Sequence, residues 1–487
     1  MCDSFIPNMV YLAPTSKEEY FAMLNWSIEQ NEHPVAIRIP CNGVISDRRK
    51  IDTNYSNLNK FKVEIKGENV AIIALGDFYQ LGENVIEELK NKIGLNATLI
   101  NPQYITGIDS ELLKKLKENH DILLGICGCM AQEESVVNEI MSKYKYVDFV
   151  FGTHNLDNMV NVINNSIKTG KQNVEVYSIE GNICEGIPEK RESKYSAWVD
   201  IQLGCDKFCT YCIVPYTRGT QRSRKKESII IEIEKLKSEG YKEVTLLGQN
   251  VNAYGKDLYE DYTLANLLID VAKTNIERIR FVTSHPWDFT DEMIDVISKY
   301  DNVMPYVHLP IQSGSDRILK LMGRKYTKEE YLTLYNKIRT KVKGVSITTD
   351  IIVGFPGETE SDFNETLDVV NTCKFDGAFT FIFSPRVGTP AMKLPDDTPK
   401  EEKESRLYKL NELVNKYSLE SNLKMVDKIV KCLVVSPSEK DPKKYMGYTE
   451  NMKLVNIESD KDLIGQIVDV IITEAHSFSL NGKYIES

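Results

Sequence analysis

The sequence predicts an α/β protein. Six βα units form a parallel sheet curled into an open barrel, with a small antiparallel β-barrel after it and an α/β segment before it. Three observations carry that reading. From Trp198 onward, short apolar runs alternate with amphipathic stretches in a steady rhythm. Beyond about Lys424 the rhythm changes to short strands separated by turn residues. Three closely spaced cysteines, Cys205, Cys209 and Cys212, follow directly on the first apolar run of the series.

Taken in order, YLAPTSKEEYFAMLNWSIEQ has a Thr/Ser cap and an acidic first turn, and predicts an amphipathic helix. VAIIALG reads as a buried strand, and NVIEELKNKIG as a helix stopped by a glycine. Together they make an α/β segment. The barrel strands are WVDIQLG, EVTLLGQN, RIRFVTSH, MPYVHLPI, VSITTDIIVG and AFTFIFS, rich in β-branched and aromatic residues. ESIIIEIEKLKSEG is a typical intervening helix, with Gly240 as its stop. Right-handed crossovers join such units, and full closure would want eight strands, so the barrel stays open. A long helix over 400–424 leads to DKIVKCLVVS, KYMGYT, MKLVNI, GQIVDVIITEAHS and SLNGKYIES, the strands of the small barrel. The expected domains are 1–120, 121–185, 190–424 and 425–487.

With 487 residues, 42% hydrophobic and 27% charged, the chain has the make-up of a globular multidomain protein, and no stretch is apolar enough to span a bilayer. MCDSFIPNMVYLAP lacks a basic start and a continuous apolar core, so no signal peptide is expected. Ten irregularly spaced cysteines without an export signal imply a reducing, cytoplasmic setting and free thiols. The net charge of −11 argues against indiscriminate nucleic-acid binding but leaves room for a local basic surface. Arg218, Arg222 and Arg224, with Lys225 and Lys226, form such a run; it serves equally as a phosphate contact or as the solvated start of a helix.

The run Gly204 to Cys212 supplies three thiolates at the spacing C-x-x-x-C-x-x-C, whereas an iron–sulfur cubane has four irons to ligate. One iron is left to bind a small molecule. A structural zinc site wants a closed fourth ligand and a second C-x-x-C, and a thioredoxin-like pair opens a helix in a different context. In an open parallel barrel, ligands bind at the C-terminal ends of the strands. Gln249, Asn250, Ser284, Gln312, Asp350 and Arg386 are all expected at or just past such ends, and Gly354 in GFPGE permits close backbone approach. Each alone is ordinary loop polarity; their shared placement is the signal.

These residues carry a resemblance. GCDKFCTYCIVPYTRG (Gly204 to Gly219) resembles the radical S-adenosylmethionine (SAM) signature of the methylthiotransferases, most closely the MiaB-type tRNA enzymes. The likeness continues through LLGQNVNAYG, TSHPWDF, HLPIQSGSDRILKLMGRKYT, TDIIVGFPGET and FSPRVGTPA, from about Asp121 to the C-terminus. It implies a partial (β/α)6 radical SAM barrel and a C-terminal TRAM domain that holds RNA, with Lys431 and Lys453 among its candidate contacts. It also implies a [4Fe-4S] cluster on Cys205, Cys209 and Cys212, SAM on the open iron, and reductive cleavage to a 5′-deoxyadenosyl radical that abstracts hydrogen from an adenine carbon. That carbon has no accessible proton for acid–base chemistry, so the cofactor carries the hard step and no side chain is given a catalytic role. The implied partners are tRNA bearing isopentenylated adenosine beside the anticodon and an external one-electron reductant; a monomer is expected.

In this family a second cluster, held by three cysteines of the N-terminal domain, carries the inserted sulfur. ILLGICGCMAQEE aligns Cys129 with the third of these, and nothing corresponds to the other two: no cysteine lies between Cys41 and Cys127. The resemblance therefore predicts intact SAM cleavage with weak or absent methylthio transfer. Residues 1–120 instead resemble part of 1-deoxy-D-xylulose-5-phosphate synthase, through PNMVYLAPTSKEEY, HPVAIRIP, VAIIALGDFYQLG and LINPQYITGIDSELL. Both halves of that enzyme's thiamine diphosphate site are missing, so no thiamine chemistry is expected. The missing remainder also argues against a closed core in this segment.

Overall fold

The computed structural model describes residues 9–38, 46, 49–68, 70–76, 78–105, 109–118, 123–127, 134–143, 147–151, 159–170, 172–175, 191, 193–438, 441 and 444–486. The chain divides into two compact units, Met1–Pro188 and Glu189–Ser487.

In the first unit, β1 (Val10–Leu12) pairs in parallel with β2 (Val35–Ile37). Between them runs the helix Lys17–Glu29, whose N-cap Ser16 accepts the Glu19 N–H at 3.1 Å, as the Thr/Ser signal predicts. A six-stranded sheet follows: β3 (Lys62–Ile65), β4 (Val70–Ile73), β5 (Ala97–Asn101), β6 (Leu123–Cys127), β7 (Phe149–Phe151) and β8 (Asn173–Glu175), in the order β3-β5-β4-β6-β7-β8. All pairs are parallel except β3 with β5. Successive strand residues point to opposite faces. Val70 packs with Val85, Leu89 and Val162 on one side, and its neighbour Ala71 with Leu113, Val137 and Val147 on the other. The sheet thus has an apolar core on both faces, against the expectation of an open one. The partners come from both sides of Asp121, which the sequence reading had kept apart.

The second unit holds β9 (Ser196–Asp200), β10 (Gln202–Leu203), β11 (Arg222–Ser223), β12 (Glu243–Leu247), β13 (Arg278–Phe281), β14 (Tyr306–His308), β15 (Ser346–Val353) and β16 (Gly377–Ile382). β9, β12 and β13 pair in parallel, as do β14, β15 and β16, and a parallel bridge between Ile279 and Val303 connects the two halves. Among the described residues no ladder returns from β16 to β9, so the barrel is open. The six expected strands are all present. Their alternation follows the strand period: Ile347, Thr349, Ile351 and Val353 are buried, while Thr348, Asp350 and Ile352 between them are only half-buried, on the inner face.

The helix Lys400–Leu423 leads to β17 (Ile429–Pro437), β18 (Lys444–Thr449), β19 (Leu454–Glu458), β20 (Ile467–Ala475) and β21 (Leu480–Tyr484), a closed barrel in the order β17-β18-β19-β21-β20. Two buried arginines fasten it to β13. Arg278 donates to the carbonyls of Tyr448 (2.8 Å) and Lys431 (3.0 Å). Arg280 donates to those of Thr449 (2.8 Å) and Glu450 (2.7 Å), and through Nε to Glu243 at 2.8 Å. Lys453 belongs to the same seam: it is 8% exposed, with Nζ 3.4 Å from Asp376 and 2.9 Å from Ser421. This corrects the nucleic-acid contact expected of Lys453, because a buried ammonium satisfied by a carboxylate has no face to offer phosphate.

Candidate cofactor and substrate site

The cysteine loop is closed at its base by the two-residue antiparallel ladder of β10 and β11, which pairs Leu203 with Arg222. Gly204 opens it at φ +77°, and a Cβ there would lie 2.0 Å from the Thr220 carbonyl oxygen, so glycine is required. The loop is then tied down from several directions. Cys205 N–H donates to Gly219 O (3.1 Å), and Thr210 donates from N to Met322 O (2.9 Å) and from Oγ1 to Leu321 O (2.8 Å). Ala391 N–H donates to Thr210 O (2.8 Å), and Gln249 accepts the Gly204 N–H at 2.6 Å.

Cys205 and Cys209 are buried and Cys212 half-buried, all as free thiols. Burial pushes the Cys205 thiol up to about 11, with the charges of Cys209 and Cys212 adding to it, and burial raises Cys212 likewise. Three thiolates can share this loop only with a cationic partner, and soft sulfur donors match iron. Among the described residues no three His, Cys, Asp or Glu side chains converge as a single-ion site. The three thiols lie within one loop and are soft donors of the kind an iron–sulfur cluster takes.

Beside the loop lie buried polar atoms without partners: Gln202 Oε1, Asn250 Oδ1 and Ser284 Oγ. Gly248 rests against Gln202, and Val251 N–H donates to Thr283 O at 3.1 Å, so these strand ends adjoin. Such atoms call for a polar ligand. Thr283 and Gln312, just past their strands, take φ values of +67° and +74°, costly for non-glycine residues. This set fits the polar groups of SAM.

The remaining expected residues are more dispersed. Asn250 also donates to Asp288 at 2.7 Å, a carboxylate shared with Lys207 and Lys256 at 2.7 Å each. Burial opposes ionisation of Asp288, but these hydrogen bonds overcome it and hold its carboxyl at about 2. This node escaped the sequence reading, although Lys207 lies inside the cysteine motif and Asp288 inside TSHPWDF. Asp350 lies mid-strand in β15 and not at its end, 3.3 Å from His308 Nε2. Gly354 has φ +65°, and its N–H donates to Glu358 at 2.7 Å. Arg386 is exposed after β16, its carbonyl closing a turn with Thr389. Arg224 is engaged with Glu232 (2.8 Å) and the Asp200 carbonyl (2.6 Å), and Arg222 with the Arg218 carbonyl (2.8 Å). Arg218 is half-buried, and Lys431 is exposed on β17. Cys129 lies outside the described residues.

Comparison with known proteins places this geometry. The model of the radical SAM superfamily matches residues 199–370, and that of the TRAM domain matches 424–485. The tRNA-2-methylthio-N(6)-dimethylallyladenosine synthase of Bacillus cytotoxicus is 48% identical over 443 residues, spanning 89% of this chain and 87% of its own length. The chain belongs to the family of radical SAM tRNA methylthiotransferases. The synthase of Oceanobacillus iheyensis is 52% identical over 377 residues (77% of this chain, 73% of its own), and that of Staphylococcus aureus 50% over 396 (80% and 77%). The span shared with the Bacillus cytotoxicus synthase exceeds what the chain from Asp121 onward supplies, so it reaches into the N-terminal sheet. Among solved structures, the radical SAM methyltransferase TsrM of Kitasatospora setae aligns with a TM-score of 0.44 at 14% identity, over 66% of this chain and 75% of its own. Membership of this methylthiotransferase family brings a [4Fe-4S] cluster and SAM as cofactors.

Proposed function

We propose that this chain is a radical SAM tRNA methylthiotransferase that adds a methylthio group to isopentenylated adenosine next to the anticodon. The observation that carries this is the match to named synthases over most of both chains, with the cysteine loop whole and set on its open barrel. Cys205, Cys209 and Cys212 would hold the cluster, and the strand ends at Gln249, Asn250, Ser284, Gln312 and Gly354 would receive SAM, with Asp350 and Arg386 beside them. When bound, the cluster and SAM supply one-electron chemistry at a carbon that acids and bases cannot activate. The chain's own residues position the thiols, present unpaired polar atoms to SAM, and keep water from the reacting carbon within the barrel. Arg218, Arg222 and Arg224 remain candidate phosphate contacts at the margin of the loop, and Lys431 on the small barrel. The protein works in the cytoplasm as a monomer with an external one-electron donor.

A second reading is favoured by one specific observation: no cysteine lies between Cys41 and Cys127, so Cys129 is the one recognisable ligand for a sulfur-carrying cluster. On that reading the chain cleaves SAM and binds RNA without completing methylthio transfer. Residues 1–120 serve as scaffold, and thiamine diphosphate gives no thermal stabilisation. Anaerobic reconstitution decides between the readings. About four irons per chain with SAM cleavage but no methylthiolated RNA supports the impaired form; about eight irons with methylthiolated RNA establishes the full activity.

A further inference from the structure

The open barrel has an inner face, and one strand of it is unlike the rest. On β16, Ala378 and Ile382 pack outward against the core beneath the helix Lys400–Leu423, and Thr380 bonds to Asn411 of that helix. The alternate residues Phe379 and Phe381 therefore point inward, level with Asp350 and Ile352 of β15. They are 57% and 52% exposed, and Phe379 meets the His308 ring edge-on at 5.8 Å between centroids. On the face around them Thr348 shares a hydrogen bond with His308 Nδ1 (2.9 Å), Asp350 lies 3.3 Å from His308 Nε2, and Ile352 sits level with Phe381.

Two adjacent aromatic rings left bare on the inner face of the open barrel stabilise nothing until something apolar covers them. The relatives are named for an adenosine carrying a dimethylallyl group, a branched hydrocarbon of the size such a wall covers. We propose that Phe379 and Phe381 are the wall against which the dimethylallyl group of the target adenosine packs, so that β16 sets selectivity for prenylated over unprenylated RNA. This rests on the methylthiotransferase reading and adds the substrate determinant to it. Phe379 and Phe381 act as specificity residues, with no part in the chemistry.

The test is equilibrium binding of the full, anaerobically reconstituted chain to two anticodon stem-loop RNAs that differ only in the dimethylallyl group. The wild type should bind the prenylated RNA more tightly by about tenfold or more, the discrimination an apolar pocket can supply. The double substitution Phe379→Ala and Phe381→Ala should erase that ratio by weakening prenylated RNA alone. Phe379→Leu with Phe381→Leu should restore it, since leucine keeps an apolar surface. An unchanged ratio in the alanine variant overturns the proposal. Equal weakening of both RNAs also overturns it, as does weakened SAM binding, which would place the rings against the cofactor. A wild type that binds neither RNA overturns the methylthiotransferase reading, and the wall with it.

Discussion

Replacing Arg406 by leucine tests how the GFPGE loop, proposed above to receive SAM, is held. Arg406 reaches from the helix Lys400–Leu423 to the GFPGE loop, where its Nη1 donates to Glu358 Oε2 (2.9 Å) and to the Glu358 carbonyl (3.0 Å). The two side chains are 3% and 1% exposed, and the same Glu358 oxygen accepts the Gly354 N–H at 2.7 Å. Removing the guanidinium leaves a buried carboxylate with that amide as its remaining donor. Breaking a buried pair from one side costs about 3–5 kcal/mol. Burial already raises the Glu358 carboxyl, against the pull of Gly354 and Arg406, so in the variant it can take up a proton and escape the upper part of that range. The expected loss is about 3 kcal/mol near neutral pH, and it should shrink as pH falls, because a protonated Glu358 needs no cation. Urea unfolding of R406L, E358Q and the double variant gives the coupling directly. A value of at least about 2 kcal/mol is expected, with weaker SAM binding in R406L. Coupling below about 0.5 kcal/mol would refute the argument that this pair holds the loop.

His285 is buried and kept neutral, its ionisation pushed down to about 2 by burial and by the nearby Arg324. An unfolded histidine protonates near 6.5, so stability should fall as pH drops below that value, by about 2 kcal/mol at pH 5. His285→Asn, which can still accept the Trp287 N–H, should flatten the slope in denaturant midpoints measured between pH 7 and 5. Lys453→Met should weaken the seam between the small barrel and the large one, lowering the melting temperature while leaving the salt dependence of RNA binding unchanged. Lys431→Met should do the reverse, reducing the slope of log affinity against log salt by about one phosphate contact. Gly204→Ala should leave the circular dichroism spectrum intact while iron content after reconstitution falls by most of one cluster.

The six barrel strands, the five of the small barrel and the cysteine triad were legible because each is a local pattern: alternation, spacing or a turn. The long-range partners were not. Arg278 and Arg280 sit in a run that reads as a buried strand, and the carbonyls they satisfy lie 153 to 170 residues away. Asp350 was expected at a strand end although it falls inside the predicted strand VSITTDIIVG, and the strand does run on through it to Val353. The N-terminal segment was expected to lack partners for its core, yet β6 and β7, from beyond Asp121, supply them.

By itself, then, the sequence determined the lineage of this protein and the chemistry its three clustered thiols can support, since ligand type and spacing are written along the chain. Tertiary structure decided which charges are spent inside. Lys453 reads as a surface cation until Asp376 meets it in a buried seam, while Phe379 and Phe381 read as core until the open barrel leaves them bare. The reason is physical: periodicity fixes which side of an element a residue faces, and only the packing of distant elements fixes what, if anything, that side meets.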